Sequence, residues 1–178
     1  AQLAKIAEAA ALNPNLQVSQ AGALEAIDAA LRANISAQQI AGGGIIEAIV
    51  SQQNALGGTF NDNARLIAKQ LNDQAGAANQ LTAQQLADQN VGTLRAGQFQ
   101  GINDLLLAQA SAGGALKNLG VSQQQFNEFL SIAGTTSSGG SDAGTSVKSF
   151  INAATNASKD QAAAQSALGF NISDSQGQ

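Results

Sequence analysis

Ile35-Ser36-Ala37-Gln38-Gln39-Ile40, Leu81-Thr82-Ala83-Gln84-Gln85-Leu86 and Val121-Ser122-Gln123-Gln124-Gln125-Phe126 share one pattern: apolar, hydroxyl, two residues, Gln, apolar. Each reads as a helix start. The hydroxyl of Ser36, Thr82 or Ser122 accepts the backbone N–H three residues on, while the side chain of Gln39, Gln85 or Gln125 reaches back to the cap amide. The flanking apolar pair clamps the entering chain, a capping box inside a hydrophobic staple. Val18-Ser19-Gln20 begins a weaker version, with Gly22 where the Gln should stand. These caps lie 17, 46 and 40 residues apart, too irregular for a solenoid repeat. They read as good caps on independent helices.

Between the caps the apolar residues keep a helical period. Leu24, Ile27 and Leu31 follow Ser19; Ile45, Ile46, Ile49, Val50 and Leu56 follow Ser36; Leu66, Ile67 and Leu71 follow Asn61. Leu86, Val91 and Leu94 follow Thr82, and Phe99, Ile102 and Leu106 continue past Gly97. Phe126, Phe129 and Leu130 follow Ser122, and Val147, Phe150, Ile151 and Ala154 open the last helix. No segment alternates with the strand period of two. Gly57-Gly58, Gly76, Gly120, Gly134 and Gly169 stand where helices should stop. The expectation is an all-α, multi-helix bundle of seven to eight short helices with antiparallel neighbours, more than about 55% helical.

Two glycine-rich stretches interrupt the pattern. Gly42-Gly43-Gly44 costs on the order of 1 kcal/mol per Gly relative to Ala inside a helix, so a helix break is expected there. Thr135 to Gly144 has the composition of a flexible linker. The expected organisation is a helical bundle over 1–134, a Gly/Ser/Thr linker over 135–144, and a flexibly linked C-terminal helix with a frayed tail over 145–178. At the other end, Ala1-Gln2-Leu3 is already helical in pattern with no cap before it, which suggests a chain cut from a longer precursor.

The 178 residues include 41 Leu, Ile, Val and Phe, enough for a folded core. There are 37 Ala and no Cys, Met, Trp, Tyr or His, so packing should rest on small residues. Eight basic and twelve acidic residues are spread along the chain for a net charge of −4. With no basic patch and no stacking Tyr or Trp, no nucleic-acid partner is expected. No apolar run is long enough for a transmembrane segment.

Catalytic readings fail for want of parts. Without His and Cys there is no Ser-His-Asp triad, no Cys-His pair and no usual zinc site. Asn61-Asp62-Asn63 opens like a calcium loop but lacks the Gly and closing Glu at the required spacing. Gly139 and Gly144 have P-loop spacing, but Thr145 stands where the Lys belongs. Asp28 with Arg32, Lys69 with Asp73 and Lys5 with Glu8 read as surface pairs at helical spacing. No catalytic, metal or cofactor site is expected, and the chain reads as a structural or interaction protein.

Ala167-Leu168-Gly169-Phe170-Asn171-Ile172 after Ser166, together with the Ala-rich composition, resembles the folded helical repeat domains of spider silk proteins. The resemblance implies a secreted, extracellular structural protein that self-assembles as a homo-oligomer or polymer. Modest Ser, high Gln and the lack of poly-Ala or Gly-Pro blocks depart from that family. A virion component is the alternative, such as a helical ejection or tube-forming protein of a tailed phage; a helical carrier of apolar ligands, or a surface-active protein, is the second. Val147, Phe150, Ile151, Ala154 and Leu168 form the candidate assembly face.

Overall fold

The computed structural model describes residues 2–77, 79–118 and 121–155. Among the described residues there are nine helices: α1 (Gln2–Leu12), α2 (Gln20–Arg32), α3 (Ala37–Ala41), α4 (Ile45–Leu56), α5 (Phe60–Asp73), α6 (Ala83–Ala96), α7 (Ile102–Asn118), α8 (Gln123–Gly134) and α9 (Gly140–Thr155). None of the described residues lies in a strand. The all-α multi-helix bundle is the architecture of the chain.

The helix starts follow from local chemistry. Ser36, Thr82 and Ser122 each accept the N–H of the Gln three residues on at 3.2 Å. In return Gln39, Gln85 and Gln125 accept the cap N–H at 2.9, 2.9 and 3.0 Å. Ser19 accepts from Gly22 at 3.1 Å, with no reciprocal bond. A fourth box opens α5, where Thr59 and Asp62 exchange the same pair of bonds at 3.1 and 3.3 Å. Helix α5 thus starts one residue earlier than Asn61, and an Asp does the work of the Gln.

The helices pack in two layers. Helices α1, α2, α5, α7 and α9 lie side by side in one; α4, α6 and α8 lie side by side in the other, with α3 leading into α4. From α4 onward the chain alternates between layers, so α4 packs mainly on α6, α5 on α7, α6 on α8 and α7 on α9, and each of these helices packs less on its next neighbour in sequence. The result stacks helical hairpins, each leaning on the next, although the hairpins differ in length. Ser36, Thr82 and Ser122 all open segments on the α4–α6–α8 side.

Three turns set this path. Gly43 and Gly44 take φ of 97° and 81°, a left-handed conformation that costs L-residues about 1–2 kcal/mol; they divide α3 from α4. Helix α6 does not continue past Gly97. The chain turns through Gln98 at φ 55°, and Phe99 folds back so that its ring fills the space beside Gly97 and Gly134, where added Cβ atoms would collide with it. Finally, the expected linker ends sooner than its composition suggests. Residues 140–144 form the first turns of α9, because Gly140 and Gly144 lie against the α7 backbone at Asp104 and Ala108. These contacts also run α9 in the same direction as α7.

Two apolar cores support the stack. One joins α1 to α5 and the start of α6 through Ala7, Ala26, Ile46, Ile49 and Ile67; the other joins α5, α7, α8 and α9 through Leu66, Leu105, Ala108, Phe126 and Val147. Burying a residue such as Ile46 or Leu130 contributes roughly 1.5–3 kcal/mol. The smaller Ala residues contribute less each but let the layers approach closely.

Candidate assembly surface

Buried glutamines and asparagines bond to one another across helices. Asn63 of α5 donates to the carbonyls of Gly57 and Thr59 at 3.0 and 2.8 Å, and accepts from Gln52 of α4 at 2.8 Å. Gln52 accepts from Asn90 of α6 at 2.8 Å, and Asn90 and Gln70 exchange a pair of bonds at 2.9 and 2.8 Å. A second chain runs through α5, α7, α8 and α6. Gln109 donates to Asp73 at 2.7 Å and exchanges bonds with Gln123 at 3.1 Å each way. Gln123 donates to Asn127 at 3.0 Å, and Asn127 donates to Gln89 at 3.0 Å. Among the described residues no buried side-chain nitrogen or oxygen lacks a partner. A fully satisfied network of this kind rigidifies one arrangement of helices.

The outer surface carries an open groove of about 680 Å³ with α5 as its floor and α2 and α7 as its walls. Three of the chain's eight basic residues line it: Arg32, Arg65 and Lys69. Arg32 pairs with Asp28 at 2.8 Å and Lys69 with Asp73 at 3.1 Å, whereas Arg65 makes no ion pair among the described residues. On the far wall Leu107 is 51% exposed. Elsewhere Ile132 of α8 is 70% exposed, one turn after the exposed Glu128.

The sequence-expected site residues fall into two groups. Ser19, Ser36, Gln39, Thr82, Gln85, Ser122 and Gln125 sit at helix starts and serve the fold. The candidate assembly face needs correction: Val147 and Ile151 are buried in the second core. They are covered because the close α7–α9 contact at Gly140 and Gly144 turns that side of α9 into the bundle. Phe150 is half-exposed, its ring 5.3 Å from that of Phe129. Leu168 and the side chain of Ala154 lie outside the described residues. Among the described residues no three His, Cys, Asp or Glu gather as metal ligands would, and no helix is long and apolar enough to cross a membrane.

A family model described as phage-related minor tail protein matches residues 6–178. The chain belongs to this family. No curated protein and no solved structure matches it. Membership in the phage-related minor tail protein family overturns the silk-like reading and with it the secreted, matrix-forming function. It supports instead the alternative, a phage virion component. Alanine and low charge mark close packing of small residues on helices, a property of the fold that by itself singles out neither family.

Sequence reasoning missed the buried amides and the groove. A signal for the amides was present: Gln52, Asn63, Gln70 and Asn90 stand three or four residues from Ile49, Leu66, Ile67 and Leu86, on the apolar faces of their helices. The groove left no comparable trace, because its walls come from helices distant in sequence.

Proposed function

We propose that this chain is a non-enzymatic structural component of a phage tail, acting by holding helices in a fixed stack that other tail subunits pack against. The family match over residues 6–178 carries this reading. One feature of the chain agrees with it: among the described residues the buried polar side chains satisfy one another instead of converging on a cleft. Of the two roles the sequence offers a virion component, ejection protein and tube-forming protein, the satisfied amide network favours the tube-forming one, since such networks fix a unique arrangement.

In-frame deletion of the coding region for residues 6–155 in the parent phage tests the proposal. Negative-stain microscopy should show normal numbers of heads with tails absent or of altered form. Intact tails and undiminished infectivity would overturn it.

A further inference from the structure

We infer that the groove over α5 receives helix α8 of a second copy of this chain, with Glu128 meeting Arg65 and Ile132 meeting Leu107. The inference deepens the tail-component reading and rests on it. Four observations carry it. Arg65 lies exposed in the groove with no ion pair among the described residues, while Arg32 and Lys69 beside it already have acidic partners. Glu128 is exposed on α8 and makes no ion pair among the described residues, its carboxylate accepting only from Gln124 at 3.0 Å. Ile132, one helical turn on, is 70% exposed, and Leu107 on the groove wall is 51% exposed. The two surfaces belong to opposite layers, so neither can reach the other within one molecule.

A carboxylate and an apolar side chain one turn apart on a helix match a cation and an apolar wall in a groove. Each surface leaves its charge or its apolar group unmet alone, and each supplies what the other lacks. Because groove and ridge are different patches, the contact is heterologous, and repetition builds a ring or an open row instead of a closed two-fold dimer.

Charge exchange in the full chain tests this directly, with size measured by sedimentation velocity over a range of concentrations. The wild-type chain should associate as concentration rises. R65E and E128R should each weaken association by at least about tenfold, because like charges then face each other. Both positions are exposed, and unchanged circular dichroism would show that each variant folds. An equimolar mixture of R65E and E128R should regain association, because every contact between the two variants again joins opposite charges. A wild-type chain that stays monomeric throughout would overturn the inference, as would single variants that associate normally or a mixture that does not recover. If L12D, on α1, abolished association while R65E and E128R did not, the contact would lie at α1 and the inference would also fall. None of these results bears on whether tails require the chain, which the deletion decides separately.

Discussion

Gln70 and Asn90 face each other across the two layers with reciprocal side-chain bonds, Gln70 donating at 2.8 Å and Asn90 donating at 2.9 Å. Asn90 also donates to Gln52, so one amide ties α4, α5 and α6 together. Removing it leaves Gln52 and Gln70 buried with unmet groups, at about 1–3 kcal/mol for each. Asn90→Ala should therefore lower stability by roughly 2–4 kcal/mol in urea denaturation, whereas Gln20→Ala, at an exposed position, should change it by less than about 0.5 kcal/mol. Equal effects would show that the network contributes nothing particular.

The first turns of α9 offer a test by sign. In a flexible linker or an open helix, Gly→Ala is neutral or stabilising by up to about 1 kcal/mol. Here a Cβ on Gly144 would lie 2.5 Å from the Ala108 carbonyl oxygen, and one on Gly140 would collide with the Asp104 backbone. Gly144→Ala should destabilise by about 1–3 kcal/mol, the usual penalty for overpacking. A raised melting temperature would mean that α9 does not pack on α7 as described.

Gly44 gives a second test of this kind for a different reason. A Cβ there would meet nothing within 4 Å, but the residue has φ 81°. Gly44→Ala should cost about 1–2 kcal/mol from backbone strain alone. Were α3 and α4 one continuous helix, the same change would stabilise.

The capping boxes predict smaller losses. Thr82→Ala removes the acceptor for the Gln85 N–H and should cost about 1 kcal/mol. Thr82→Ser, which keeps the acceptor, should recover most of it. Thermal denaturation of the pair separates lost capping from lost side-chain volume.

Features that depend on a few consecutive residues were readable from sequence. The boxes at Ser36, Thr82 and Ser122 need only a hydroxyl and a Gln at fixed spacing, and the break at Gly42-Gly44 needs only the helix cost of three glycines. Features that depend on distant partners were not. Gln52 and Asn90 are 38 residues apart, and nothing local to either names the other. The Gly-rich stretch before α9 has a linker's composition, and only the closeness of the α7 backbone makes its glycines packing residues. The assembly face on α9 was misread for the same cause: Val147 and Ile151 showed an apolar face that needed a partner, and α7 of the same chain supplies it.

Mass spectrometry of purified tails, dissected from heads and digested with trypsin, tests the central claim most directly. The peptide from Ala96 to Lys117, which runs from the end of α6 through most of α7, should appear in the tail fraction at a fixed ratio to the other tail proteins. Its absence from washed tails, with the same peptide abundant in the soluble lysate, would contradict a structural role in the tail.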